Sequence, residues 1–179
     1  MSTELTDIAR RLADSLVANG QVLATAESCT GGWVGQVVTG IAGSSAWYDR
    51  GFITYSNEAK QEMLGVPPET IREHGAVSTV TAEAMARGAL SHSRATIALA
   101  ITGVAGPSGG TVRNPVGTVC FAWANRRRSA GSKLESLHNR LWEDITCESV
   151  RLWFNGGREE VRRQAVRTAL EGALKCSRS

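Results

Sequence analysis

Val22-Leu23-Ala24-Thr25-Ala26-Glu27-Ser28-Cys29-Thr30-Gly31-Gly32-Trp33 is the stretch on which the fold turns. Its first five residues read as a short buried strand. The chain then passes through a polar, glycine-ended turn into a helix expected from Trp33 to Thr39. Upstream, Leu5, Ile8, Ala9, Leu12, Ala13, Leu16 and Val17 recur at helical spacing and leave Arg10, Arg11, Asp14 and Ser15 outside. Asn19-Gly20 supplies a left-handed stop to that first helix.

Downstream, a tight turn at Gly43-Ser44-Ser45 precedes a strand expected over Trp47 to Tyr55. Residues 57–64 form a helix with Asn57 as N-cap and Gly65 as stop. Pro67-Pro68 open a short helical turn, and a helix from Thr79 to Leu90 starts with Thr79 or Thr81 as cap. Thr96-Ile97-Ala98-Leu99-Ala100-Ile101-Thr102 is almost wholly apolar, as expected of a strand covered on both faces. After a glycine-rich loop, Val116 to Trp123 is a further strand. Arg126 to Ser132 reads as an exposed hairpin loop, and a strand is assigned between Leu134 and Cys147. Val150, Leu152 and Phe154 alternate inward on another strand. The last helix runs from Arg158 to Lys175. Strands and helices in this order predict a single α/β domain spanning residues 1–179, a mixed sheet sandwiched between helices in three α/β/α layers.

The bulk properties agree. A chain of 179 residues, 42% hydrophobic and 21% charged, buries an adequate core without metal or disulfide staples. The formal charge of +3 suits a phosphorylated substrate without demanding one, and gives no ground for a nucleic-acid partner. Arg126-Arg127-Arg128 is a short basic run without interleaved aromatics. No apolar run approaches the ~20 residues that span a bilayer, and the N-terminus lacks a signal-peptide pattern. The expectation is a cytoplasmic protein with no membrane partner. Cys29, Cys120, Cys147 and Cys176 are far apart and read as reduced, mostly buried thiols rather than zinc ligands. Trp33, Trp47, Trp123, Trp142 and Trp153 serve either core and rim packing or a subunit interface; self-association is expected.

Three segments look unlike scaffold. In the first, Ser28 stands between a strand end and a helix start, where amides and the helix dipole favour an anion or oxyanion. Thr30, Gly31 and Gly32 let a ligand approach the backbone closely; the alternative is that Ser28 or Thr30 merely caps the helix. The second is Tyr55-Ser56-Asn57-Glu58-Ala59-Lys60. His74, His92 and His138 have no site-like neighbours, so a serine enzyme here would take Lys60 as its base. The lysine pKa must then fall from ~10.4 toward ~7–8 through burial or neighbouring positive charge. Tyr55 stands at the start of the same helix and can reach the same cleft; the alternative for Lys60 is a solvated helix lysine. In the third, the loop from Gly103 through Ala105, Gly106 and on to Gly110 offers amides to a phosphate or ribose. It is neither a P-loop nor a dinucleotide fingerprint.

AESCTGG, YSNEAK, ITGVAGPSGGT followed by NPVG, and GREEVRRQAV together resemble the CinA C-terminal-domain family in order and spacing, over roughly Leu5 to Lys175. The resemblance is to its stand-alone form. It implies nicotinamide-nucleotide amidohydrolysis, in which nicotinamide mononucleotide gives nicotinic acid mononucleotide and ammonia in bacterial pyridine nucleotide salvage. By the same resemblance Ser28 is the nucleophile, Lys60 the general base, Tyr55 its partner near the serine, and Thr102 the fourth active-site position. Amides of residues 28–32 would hold the oxyanion, and no metal or cofactor would be required. Asn57, Arg158 and the 103–111 loop are candidates for substrate contacts. Arg158 suits a phosphate, with a surface ion pair to Glu159 or Glu160 as its alternative. The chain departs from the family at Gly157, where aspartate is common, at Asn114, where lysine is common, and in a longer 126–147 stretch. An amidase for another small amide and a non-catalytic nucleotide-binding module are the competing readings.

Overall fold

The computed structural model describes residues 3–126 and 145–178. Helix α1 (Thr3–Ala18) leads into β1 (Leu23–Glu27), α2 (Trp33–Thr39), a 3₁₀ turn at Ser44–Ala46, and β2 (Tyr48–Ile53). Helices α3 (Asn57–Leu64), α4 (Pro68–His74) and α5 (Thr79–Ser91) follow. Then come β3 (Ile97–Gly103), β4 (Thr118–Arg126), β5 (Ile145–Trp153) and α6 (Arg158–Cys176). The sheet order is β2-β1-β3-β4-β5, with β1 parallel to β2 and β3, and β4 antiparallel to both its neighbours. The expected α/β class, mixed sheet and layering are all present.

The central strands alternate large and small. Leu23, Ile97, Leu99, Ile101, Val119, Phe121 and Trp123 face one core with α1, α2 and α6. Ala24, Ala26, Ala98, Ala100, Ala122 and Ala124 face the other, against α3, α4 and α5. The alanine face lets Met85, Ala86 and Ala89 of α5 pack close to the strands, with Lys60 on α3 beyond them. On the opposite face Trp123 stacks on Phe121 with centroids 5.8 Å apart, and its indole donates to Ala169 O at 3.0 Å. A Cβ on Gly172 would lie 2.2 Å from two indole carbons of Trp123. Gly172→Ala is therefore expected to cost about 3 kcal/mol through overpacking. A drop of roughly 6–12 °C in melting temperature would show it.

Several boundaries differ from the sequence reading. Ser56, not Asn57, caps α3: its backbone is extended and its hydroxyl accepts from Ala59 N, while Asn57 is already helical and exposed. Ser78, not Thr79 or Thr81, caps α5 by accepting from Thr81 N. The strand expected over 47–55 is confined to β2, because Trp47 closes the 3₁₀ turn and the chain leaves the ladder after Ile53. Gly157 precedes α6 without any side-chain cap. The hairpin expected at 126–132 and the strand expected at 134–147 lie largely outside the described residues. Their ends are seen as Arg126, which closes β4, and Ile145–Cys147, which open β5. Val150, Leu152 and Phe154 do pack inward against the first core.

The carboxyl ends of the parallel strands β1, β2 and β3 meet at one edge. The connections also change face there: α2 lies on one side of the sheet, and α3, α4 and α5 on the other. That is where open α/β sheets place their sites. Ser28 N donates to Ile101 O, and Thr54 N to Glu27 O, so the ladders run on into the loops that carry the side chains.

Candidate active site

Ser28 follows directly on β1 and Lys60 lies one turn inside α3. Lys60 is 1% exposed and Ser28 7%. The Lys60 ammonium donates to Thr54 O at 2.8 Å, to Ser56 O at 3.3 Å and to Ser28 Oγ at 3.2 Å. Among the described residues no carboxylate lies within ion-pair distance of it. Burial holds the Lys60 pKa below its ordinary value, against the opposing pull of Cys29 and Glu58. The solvated-lysine alternative is excluded, and so is the reading of Ser28 as the cap of α2.

The cap is Glu27. Its carboxylate, 1% exposed, accepts from Gly32 N at 3.0 Å, Val34 N at 3.1 Å and Gly35 N at 2.9 Å. These are orphan donors of the first helical turn, satisfied here by a strand residue rather than by the serine or threonine nearest the helix. Gly32 makes the turn possible: its φ is +91°, and a Cβ would lie 2.9 Å from Ile53 Cδ1. The helix-start amides are thus committed to Glu27, and the Gly31 amide to Ser28 O. Of the amides of residues 28–32 expected to meet an oxyanion, those of Cys29 and Thr30 are left without an oxygen acceptor among the described residues. Cys29, beside the serine, is a buried thiol pushed up to about 12 by desolvation and is no rival nucleophile.

The other expected residues are placed less centrally. Tyr55 is 63% exposed, and its hydroxyl accepts from Arg158 Nη2 at 3.2 Å rather than meeting Ser28 or Lys60. Thr102 is buried, one register step beyond the Glu27–Ile101 pair, and its hydroxyl donates to Ala76 O at 2.7 Å. With Asn114, whose amide donates to Val77 O at 3.1 Å, it ties the end of β3 and the glycine-rich loop to the segment before α5. Ala105 and Gly106 are buried and Gly103 is half-buried. Gly106 O accepts from Arg158 Nη1 at 2.8 Å, so the Arg158 guanidinium bridges that loop to Tyr55. No ion pair joins Arg158 to Glu159 or Glu160; Glu160 pairs with Arg163 at 2.7 Å.

A cleft of about 650 Å³ opens beside the serine loop, lined by Gly31, Gly32, Trp33, Ile53, Arg158 and Arg162 among others. Ser28 and Lys60 are not part of its wall. Arg162 and Glu27 were not anticipated from the sequence. Arg162 was within reach, standing four residues after Arg158 and so on the same helix face. No helix of the described residues is long and apolar enough to cross a membrane.

A family model described as the CinA C-terminal domain matches residues 5–177. The chain is 48% identical over 169 residues to a nicotinamide-nucleotide amidohydrolase PncC of Shigella flexneri, covering 94% of this chain and 92% of the relative. It is 44% identical over 170 residues to a protein of the same name from Pseudomonas putida, covering 95% of each. Among solved structures it resembles the competence/damage inducible protein CihA from Agrobacterium tumefaciens, with a TM-score of 0.84, 42% identity, and coverage of 100% of this chain and 98% of that one. A CinA superfamily protein from Klebsiella pneumoniae 700603 gives a TM-score of 0.84 at 38% identity, over 97% of this chain and 98% of the other. The chain belongs to the CinA C-terminal domain family.

Proposed function

We propose that this protein hydrolyses the carboxamide of nicotinamide mononucleotide, releasing nicotinic acid mononucleotide and ammonia, with Ser28 as nucleophile and Lys60 as general base. The observation that carries the chemistry is the buried Lys60–Ser28 contact at 3.2 Å. Two protons of the lysine are held by the Thr54 and Ser56 carbonyls. Once the third is lost, the nitrogen lone pair faces Ser28 Oγ, the arrangement a serine nucleophile needs. Burial without a carboxylate partner favours that neutral form. The substrate assignment is supported by the relatives of about half identity that carry the name nicotinamide-nucleotide amidohydrolase.

In this mechanism Ser28 Oγ attacks the carboxamide carbon and its proton passes to Lys60. Lys60 then returns the proton to the departing nitrogen, and ammonia leaves an acyl-enzyme. Water, activated by the again neutral Lys60, releases the carboxylate. Tyr55 and Arg158 stand at the mouth, where Arg158 meets the phosphate of the nucleotide. The product re-enters pyridine nucleotide synthesis, so the role is salvage, carried out by a self-associating cytoplasmic enzyme.

The test is ammonia release from nicotinamide mononucleotide by the purified protein, beside a panel of free nicotinamide and simple carboxamides. Turnover confined to the nucleotide is expected. Faster release from another amide would reassign the substrate, and silence with the nucleotide still bound would favour a binding module.

A further inference from the structure

Two hydrogen bonds run from α6 to the backbone of the serine loop. Arg162 Nε donates to Cys29 O at 3.1 Å and Nη2 to Thr30 O at 2.8 Å. The same guanidinium lies 5.3 Å from the centre of the Trp33 ring, which holds it in place. A trans peptide is planar, with its C=O and N–H opposed. Holding the Cys29 carbonyl toward α6 therefore turns the Thr30 N–H away from α6. Helices α6 and α3 pack on opposite faces of the sheet, so that amide turns toward the side from which Lys60 reaches Ser28.

The neighbouring peptide is fixed as well, because Ser28 O accepts from Gly31 N at 3.0 Å, and this sets the direction of the Cys29 N–H. Cys29 and Thr30 are 6% and 0% exposed; the Cys29 amide has only its own sulfur as partner, and the Thr30 amide meets no acceptor among the described residues. The Thr30 hydroxyl is buried without a partner too. Buried backbone donors are nearly always paired. An orphan amide and an orphan hydroxyl on Thr30, beside one serine, point to an oxygen that arrives with the substrate.

We propose that Arg162 is a positioning residue that orients the Cys29–Thr30 peptide, so that the Thr30 amide, together with the Cys29 amide, donates to the oxyanion formed when Ser28 attacks. The inference rests on Ser28 being the nucleophile, and it separates the roles of two arginines one helical turn apart. Arg158 meets substrate, whereas Arg162 acts through the backbone.

The experiment uses a small fluorophosphonate, which needs no nucleotide subsite. Ser28 Oγ bonds to phosphorus, the P–F bond breaks, fluoride leaves and the hydroxyl proton passes to Lys60; the phosphoryl oxygen occupies the oxyanion position. Intact-mass measurement gives the rate. Arg162→Ala is expected to slow labelling about a hundredfold, the usual effect of losing an oxyanion donor, and methylguanidinium should restore part of it. Arg162→Lys reaches one carbonyl at a time and should be slowed at least about tenfold; it carries the test if Arg162→Ala does not fold. With nicotinamide mononucleotide the loss should fall on kcat, with KM within about threefold of wild type. Unchanged labelling in folded variants, or a rise in KM alone, would overturn the proposal. Failure of wild-type Ser28 to be labelled would overturn the serine mechanism and this inference with it. Labelling at equal rates without ammonia release from the nucleotide would overturn both the Arg162 role and the substrate.

Discussion

Ser28→Ala should lower ammonia release by at least about a thousandfold while the protein still folds and still binds nucleotide. The hydroxyl takes part in one side-chain hydrogen bond, from Lys60, and alanine fits the same space, so little stability depends on it. Binding should survive because the cleft wall is formed by the residues beyond the serine, not by its oxygen. Ammonia assays on the variant, paired with calorimetric titration of the nucleotide, separate the two effects. Residual activity above about a tenth of wild type would require another nucleophile, since Ser28 would then contribute under ~1.4 kcal/mol to the barrier. The neighbouring Cys29 is a poor replacement: burial keeps its thiol protonated up to about pH 12.

Lys60→Met is expected to be as inactive as Ser28→Ala, and it exposes a second property. The folded-state pKa of Lys60 is depressed by burial, while the unfolded chain protonates at the ordinary lysine value of ~10.4. Between those two values the unfolded state binds a proton that the folded state does not, so stability rises with pH. The contribution is complete above ~10.4 and is lost as pH falls to the folded-state value. Methionine has no such dependence. Denaturant unfolding at stepped pH should therefore show wild type gaining on the variant as pH rises, and parallel curves would refute the buried-lysine account. Over the same range wild-type kcat/KM should climb with pH and level off once Lys60 has shed its proton.

How much of this was legible in the residues depends on how local each signal is. Helices α1 and α6 and strand β3 announce themselves through periodicity or an unbroken apolar run. The cap of α3 was missed by one residue and that of α5 by one or three, because 56–57 and 78–81 offer several capping side chains close together. The backbone angle, not the side-chain type, decides which of them caps. The alternation in Ile97-Ala98-Leu99-Ala100-Ile101 is visible in the letters, but its meaning, a bulky face and an alanine face, needs the helices that cover them. Strand order has no local signature at all.

At the site, motif resemblance brought Ser28 and Lys60 together from 32 positions apart, and the geometry unites them. It set Tyr55 and Thr102 beside them; their hydroxyls meet Arg158 and the Ala76 carbonyl, and Thr102 stands one register step beyond the Glu27–Ile101 pair. Glu27 escaped notice because a carboxylate at the end of a strand, reaching five to eight residues ahead, follows none of the familiar capping patterns.

That carboxylate also ties the start of α2 to the sheet. A seven-residue helix has almost no existence of its own in water. The first turn of α2 acquires its hydrogen-bond acceptors only after Glu27 is seated between β2 and β3. The serine loop is therefore expected to be lost together with the sheet when the molecule opens, rather than fraying ahead of it, which native-state hydrogen exchange would show. The order of that loop and the integrity of the sheet are expected to form one cooperative unit.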